Sequence, residues 1–181
     1  IDGATNADGF TLDATYTLED SLQNLMAADA ALLEGHTYTL TDATVDLGDG
    51  TVEAVEAAIA AAQAIIDGAA NEAKPELVVT YTLNDTLANI MAADAALLEG
   101  HTYTLMDGAA DLGVDLTIEA VTAAQAVIDG SADEIKPELV ATYTLNDSLA
   151  NIMNPDNAAL VEGHAYSLLD GAADFGTDQT I

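Results

Sequence analysis

Aspartates at short spacing beside glycine are the residues of this chain best suited to chemistry, and they occur in three similar groups. Grouped carboxylates are what Ca²⁺ requires, because this ion takes about 6–8 oxygen ligands in a flexible geometry. The spacing is not that of an EF-hand loop, and a solvated acidic loop would explain the same residues without an ion. The candidate Ca²⁺ ligands are Asp42, Asp46 and Asp49, then Asp107, Asp111 and Asp115, then Asp170, Asp174 and Asp178.

A second set of aspartates ends a recurring Tyr-(Thr or Ser)-Leu-x-Asp motif, whose first residues are typical of a β-strand. Parallel strands lie about 4.8 Å apart, so side-by-side copies of this motif would place their carboxylates in a column. Such a column could bind a ladder of cations. Equally, each carboxylate could cap a helix or form a turn. The set comprises Asp20, Asp42, Asp85, Asp107, Asp147 and Asp170.

Three histidines, His36, His101 and His164, each follow a Glu-Gly pair at the start of a predicted strand. Equivalent strands of neighbouring repeats should lie roughly 10 Å apart, which is too far for two imidazoles to share a metal. We therefore expect a structural, hydrogen-bonded role for them. Every polar candidate recurs two or three times and no nucleophile–base set occurs once, so we expect no enzymatic site.

One kind of strand and two kinds of helix are predicted to position these residues. Residues 78–83 are rich in β-branched and aromatic side chains and indicate a strand. Residues 51–67 carry an apolar stripe at helical spacing and indicate a long helix. A second helical pattern covers residues 85–100, where Gly100 would end it, and Pro155 should kink or split the corresponding helix near the C terminus.

The whole pattern is repeated along the chain. Residues 26–40 and 91–105 are identical, and the repeat has a period of about 62–65 residues. Tandem copies of this kind are typical of stacked arrays. The predicted copies are residues 14–78 (first copy), 79–140 (second copy) and 141–181 (third, partial copy), with residues 1–13 as the tail of a preceding unit.

Strands joined by connections of this length should pair in parallel, since a parallel pair needs a crossover of about a dozen residues or more. We therefore predict an α/β fold, namely a repeat solenoid with one parallel β-sheet backed by helices and two strand–helix coils per unit. Residues 1–3 repeat residues 66–68, and residues 180–181 repeat residues 117–118. We expect either a window from a longer array or a subunit whose ends complete each other's helix by head-to-tail stacking.

The charge of the chain limits its partners. The sequence has 32 acidic residues against two basic ones, Lys74 and Lys136, a net charge of −30. Nucleic acids and anionic membranes are unsuitable partners, because both are anionic and are bound through Lys and Arg. Folding should depend on salt or on bound cations. The acidic, cysteine-free, repetitive and lysine-poor composition as a whole favours an extracellular protein. There is no apolar run of about 20 residues, so we expect no segment to span a membrane.

The segments Asp85-Thr-Leu-Ala-Asn-Ile and Asp147-Ser-Leu-Ala-Asn-Ile, together with the neighbouring Tyr-Thr-Leu-Asn-Asp strands, resemble repeats of very large secreted bacterial surface proteins. Proteins of this adhesin or surface-layer type are often acidic, cysteine-free and calcium-dependent. The resemblance implies export to the cell surface and a structural or adhesive role.

Two functions follow as hypotheses. The first is a structural, self-associating extracellular protein, a filament, surface layer or adhesin stalk, in which repeats stack and cations neutralise the acidic edges. The second is a binding module whose sheet presents a repeated Thr and Tyr face to a polysaccharide or another extended surface. The residues of that face are Thr17, Tyr38, Thr39, Thr82 and Tyr103.

Overall fold

The computed structural model describes residues 16–28 and 33–169. The chain forms two compact units: the first comprises Ile1–Asp49 and Glu53–Tyr81, and the second comprises Gly50–Val52 and Thr82–Ile181. Within the described residues the fold is α/β, as predicted. Short strands alternate with helices, and the pairs whose register is resolved are all parallel.

The first compact unit holds two short strands around a short helix, followed by a longer strand and a long helix. Its first two strands pair in parallel, with Thr17 opposite Thr37 and Asp20 opposite Leu40. The elements are β1 (Thr17–Asp20), α1 (Leu22–Ala27), β2 (Thr37–Leu40), β3 (Thr44–Gly50) and α2 (Val52–Gly68), of which the turn from β3 into α2 belongs to the second unit.

The second compact unit repeats this order. Strand β4 begins in the first unit and pairs in parallel with β5 from Thr82 onward. The elements are β4 (Val78–Asp85), α3 (Leu87–Ala92), α4 (Ala95–Leu98), β5 (Thr102–Leu105), β6 (Ala109–Leu116), α5 (Ile118–Gly130), β7 (Val140–Asp147), α6 (Leu149–Ile152), a 3₁₀ turn (Pro155–Asn157), α7 (Ala158–Val161) and β8 (Tyr166–Leu168).

The long helices form where the apolar spacing predicts them, and each buries one stripe. In α5 the buried residues Ile118, Val121, Ala124 and Ile128 recur every three or four positions. The matching stripe of α2 is buried as well. In the described parts of the chain no helix is long and apolar enough to span a membrane.

The described strands form three separate sheets, β1-β2, β3-β4-β5 and β6-β7-β8, so the prediction of one sheet is wrong. The reason lies at the outer edge of β2, which the segment after α2 occupies. The Ala70 amide donates to the Tyr38 carbonyl at 2.7 Å, and the Asn71 side chain bonds both N–H and C=O of Leu40 at 2.9 Å. These bonds leave β2 no free edge for β3. A continuous solenoid thus stays a prediction.

Strand β5 ends its sheet in the same way. The Ala132 amide donates to the Tyr103 carbonyl at 2.7 Å, and the Leu105 amide donates to Asp133 Oδ2 at 3.0 Å. Equivalent residues of two copies therefore make equivalent edge contacts.

Strands β3 and β6 were not predicted, because their acidic composition indicated a loop. The structure shows extended backbone instead, in which buried Val45 and half-buried Leu47 alternate with exposed Thr44 and Asp46. That period of two is the signature of a half-buried strand.

The single helix predicted over residues 85–100 is also wrong, since α3 and α4 are separate helices. The break falls at Ala93, and Asp94 caps α4 by accepting the Ala96 amide at 3.0 Å. Gly100 (φ 77°) forms the turn that follows. The predicted split near Pro155 is confirmed between α6 and α7.

Candidate functional site

The side chain of the strand-end aspartate Asp85 accepts three hydrogen bonds. Asp85 is the last residue of β4 and is buried. Its Oδ1 accepts the Thr86 amide and the Asn89 side-chain amide, both at 2.8 Å. Its Oδ2 accepts the amide of Val52, the first residue of α2, at 2.9 Å. Asp85 therefore holds the starts of α3 and α2 together.

Asp147 repeats this arrangement one copy later. It ends β7, is buried, and accepts the Ser148 amide at 2.7 Å and the Asn151 side chain at 2.8 Å through Oδ1. Its Oδ2 accepts the amide of Ile118, the first residue of α5, at 2.9 Å. In both cases, the aspartate belongs to one copy and the long helix to the copy before it.

Asp20, at the end of β1, has two of these three contacts among the described residues. Its Oδ1 accepts the Ser21 amide at 2.8 Å and the Asn24 side chain at 2.7 Å. Within the described residues no helix-start amide reaches its Oδ2. Asp20 is also only half-buried, unlike Asp85 and Asp147.

The hydrogen bonds keep these carboxylates charged. Burial by itself would raise the pKa of Asp85, but the bonds from Asn89, Val52 and Thr86 outweigh it and lower the pKa below its usual 3.8. The pKa of Asp147 is lowered in the same way, against burial, by Ile118, Asn151 and Ser148. For Asp20 the bonds from Asn24 and Ser21 lower the pKa.

These positions favour the helix-capping interpretation of the strand-end aspartates, with one difference. The residue that caps α1, α3 or α6 is the Ser or Thr that follows the aspartate, and its side chain accepts an amide three residues on, as Thr86 does from Asn89 at 3.2 Å. The aspartate instead reaches the long helix of the preceding copy. The Ser/Thr-x-x-Asn spacing after each aspartate was the available sequence signal for the local part of this arrangement.

The first group of predicted Ca²⁺ ligands does not converge on one point. Asp42 precedes β3 and accepts the Thr44 amide at 3.1 Å. Asp46 lies within β3 and accepts the Gly48 amide at 3.1 Å, while its own amide donates to Gln23. Asp49 lies farther along the same strand and is exposed.

The second group is similarly dispersed. Asp107 accepts the amide of Leu87, the first residue of α3, at 3.3 Å. Asp111 in β6 accepts from Gly113 and from the Thr142 hydroxyl, and Asp115 donates its amide to the Thr144 hydroxyl at 2.9 Å. The third group, Asp170, Asp174 and Asp178, lies outside the described residues.

In the part of the chain that the structure describes, no three His, Asp or Glu residues are gathered closely enough to hold a metal ion. The described residues therefore do not fit a dedicated Ca²⁺ cage, and calcium binding stays a hypothesis.

Both lysines contact backbone carbonyls. The Lys74 ammonium donates to the carbonyl of Asp67, near the end of α2, and to that of Ala69, directly after α2. The Lys136 ammonium donates to the carbonyl of Ser131, directly after α5. A cation at a helix C terminus offsets the negative end of the helix dipole. Both positive charges thus stabilise the C-terminal ends of the long helices.

The predicted Thr and Tyr face is only partly exposed. The Tyr38 side chain is 9% exposed, and its hydroxyl donates to the Ile65 carbonyl at 2.9 Å. Tyr103 is half-buried, and its hydroxyl donates to the Val127 carbonyl at 2.8 Å. Thr17 is exposed, and Thr39 and Thr82 are half-buried. The tyrosines therefore pack against the long helices, which leaves mainly threonine on any outward face.

Two histidines stack on tyrosines. His36 lies on Tyr16 and His164 on Tyr143, with ring centroids 3.8 Å apart in both pairs. A cavity of about 350 Å³ adjoins the first pair, and one of about 260 Å³ adjoins the second. The same aromatic recess thus occurs in two copies, which is typical of a repeated surface.

No family model, no curated protein and no solved structure matches this chain. The resemblance to repeats of secreted surface proteins therefore stays a hypothesis that rests on the short motifs alone.

Proposed function

We propose that this chain is a structural, self-associating repeat protein of the cell exterior, part of a filament, surface layer or adhesin stalk, and not an enzyme. The observation that carries the proposal is the recurring contact between a strand-end aspartate and the long helix of the preceding copy, made by Asp85 with Val52 and by Asp147 with Ile118. Because this contact joins each copy to the one before it, any number of further copies can be added through the same contact.

The hydrogen bonds of this contact stabilise the fold, as the proposed structural role requires. A carboxylate that accepts two backbone amides and a side-chain amide satisfies helix-start donors that would otherwise remain unpaired. Removing it would leave those donors buried, which costs more than a surface contact. Each such aspartate thus stabilises two helix starts, which by sequence belong to two successive copies.

The charge of the chain supplies the proposed control of assembly. Each molecule has a net charge of −30, so two molecules repel each other. Both lysines donate hydrogen bonds at the ends of the long helices. Salt shortens the screening length from about 8–10 Å at ordinary ionic strength to about 3 Å at 1 M. Cations, with Ca²⁺ as the foremost candidate, would neutralise the exposed aspartates and permit association.

The test is static light scattering of the purified chain across a concentration series. The solutions would be a low-salt buffer, the same buffer with CaCl₂, that solution with excess chelator, and NaCl at matched ionic strength. We expect the mass to grow with CaCl₂ and to fall again with chelator. Growth in matched NaCl alone would assign the effect to general screening and overturn the calcium part.

A monomer in every solution, including molar NaCl, would overturn self-association. Binding of the monomer to an insoluble polysaccharide would then support the alternative, a binding module that uses the exposed threonines.

A further inference from the structure

Two of the three copies carry the triplet Asn-x-(Ser or Thr) at the end of their first strand, and it occurs nowhere else in the sequence. Residues 84–86 read Asn-Asp-Thr and residues 146–148 read Asn-Asp-Ser, whereas the first copy has Glu-Asp-Ser at residues 19–21. This triplet is the acceptor sequence for N-linked glycosylation. Its hydroxyl residue already has a structural role, since Thr86 and Ser148 cap α3 and α6. The asparagine requires a reason of its own.

The side chains of Asn84 and Asn146 make no hydrogen bond within the described residues. Every other described asparagine uses its side chain as a donor or an acceptor, and these are Asn24, Asn71, Asn89, Asn151, Asn154 and Asn157. The strand does not require asparagine at this position either, because the first copy has Glu19 there. The two asparagines of the triplets are thus the ones to which the fold gives no hydrogen-bonding role.

Both asparagines project from the sheet face that is turned away from the core. In β4, exposed Asn84 lies between buried Leu83 and buried Asp85. Asn146 of β7 has the same place in the alternation and is half-buried. Successive side chains of a strand point to opposite faces, so the buried neighbours fix the outward direction of each asparagine.

The residue beside each asparagine on the neighbouring strand is small. Asn84 lies opposite Thr104 of β5, and Asn146 lies opposite Ser167 of β8, which is exposed. Adjacent strands are only about 4.8 Å apart, so a bulky side chain at either place would crowd a group attached to the asparagine. Small hydroxyl residues instead leave room for a sugar ring and can hydrogen-bond to it.

We propose that Asn84 and Asn146 are N-glycosylated during export, and that the equivalent position of the first copy is not. The inference rests on the proposed location at the cell exterior, because this acceptor triplet is used in secreted proteins. It adds a modification site to the proposed structural role.

The co-reactant is an oligosaccharide joined through its anomeric carbon to a lipid phosphate, and a membrane-bound oligosaccharyltransferase catalyses the transfer. The asparagine amide nitrogen forms a bond to the anomeric carbon and loses one proton. The bond between that carbon and the phosphate oxygen breaks, and the lipid phosphate leaves with the electron pair. No group is oxidised or reduced.

The transfer precedes folding of the triplet. In the folded chain Asp85 is buried against the Val52 amide, and the Thr86 hydroxyl accepts the Asn89 amide. A transferase that binds all three residues of the triplet therefore reaches them before these contacts form. The folded structure then holds the glycan on the outward face.

Glycans at these positions share that face with the threonines two residues earlier, Thr82 and Thr144, because residues i and i+2 of a strand point the same way. In the second and third copies the face is then covered by sugar. Contacts between molecules use other surfaces, and this part of the threonine face is not open to an extended ligand.

The first test is peptide mass spectrometry of the chain isolated from the organism that makes it. Cleavage after glutamate gives one peptide for each triplet, residues 77–99 and residues 139–162. We expect a glycan on Asn84 in the first peptide and on Asn146 in the second. Finding both peptides only in unmodified form would overturn the inference.

The second test counts glycans on variants of the full chain exported from a yeast that N-glycosylates secreted proteins. Thr86→Asn and Thr86→Ser both keep a favourable helix cap, and only Thr86→Ser keeps the hydroxyl of the triplet. Glu19→Asn gives the first copy the same triplet at an equally exposed strand end. Intact mass before and after peptide N-glycosidase gives the number of glycans.

We expect two glycans on the natural chain and on Thr86→Ser, one on Thr86→Asn and three on Glu19→Asn. Two glycans on Thr86→Asn, or no third glycan on Glu19→Asn, would overturn the assignment to these strand ends.

The outcomes separate this inference from the proposed function. Unmodified peptides from a chain that lies at the cell exterior and associates in light scattering would overturn glycosylation and leave the structural proposal standing. Glycosylated peptides from a chain that never associates would do the reverse. Unmodified peptides from a chain found inside the cell would overturn both.

Discussion

At the residue scale, hydrogen bonding explains why two of the described carboxylates, both of them strand-end aspartates, are buried. Asp85 and Asp147 each satisfy three amide donors, which offsets the cost of burying a charge. Within the described residues every buried side-chain nitrogen or oxygen has a hydrogen-bond partner. The buried carboxylates are therefore structural, and the exposed ones are those to which the proposed function assigns cations.

The substitution Asp85→Asn should lower the free energy of unfolding by about 2–3 kcal/mol, because Val52 would lose a charged acceptor. The effect should depend on pH with a definite sign. The pKa of Asp85 is lowered by folding, so its stabilisation is present above about pH 4 and is lost as pH falls through the folded-state pKa. Urea unfolding in molar NaCl at several pH values measures this as the difference between wild type and variant. A difference that stayed constant down to pH 2 would contradict the assignment.

At the element scale, a side chain that hydrogen-bonds to the edge strand, as a further strand would, ends two of the three described sheets, at β2 and at β5. Asn71 both donates to and accepts from Leu40 and so completes the edge of β2. The equivalent Asp133 accepts the Leu105 amide but, as a carboxylate, cannot donate to the Leu105 carbonyl. The second copy thus has an imperfect version of the same edge.

Replacing Asp133 with Asn should therefore stabilise the protein, by about 1 kcal/mol, since the new side-chain amide can donate to Leu105. The reverse change, Asn71→Asp, should destabilise by a similar amount. Both are measured by urea unfolding in molar NaCl, where removal of one negative charge has little effect of its own. Equal stabilisation by Glu134→Gln, at an exposed neighbouring position, would show that charge alone was responsible.

At the scale of the whole molecule, repetition places the same contacts at successive points along the chain. The Tyr hydroxyl that reaches the long helix, the edge-capping side chain and the strand-end aspartate each recur in two copies.

The sequence by itself determined the α/β class, the parallel pairing, the long helices α2 and α5, and the split near Pro155. These features follow from composition, apolar spacing and chain length between strands, all of which are local. It also singled out the strand-end aspartates, and left open whether they cap helices or bind cations.

Only the tertiary structure decided how those elements join. The acidic composition of β3 and β6 concealed the alternation of buried and exposed residues in them. The sheets that end at β2 and β5 each depend on a side chain about 30 residues away from the strand that it caps. The partner of Asp85 is likewise a helix start 33 residues earlier. Contacts between distant residues depend on which surfaces meet when the chain packs, and no local pattern in the sequence encodes that choice.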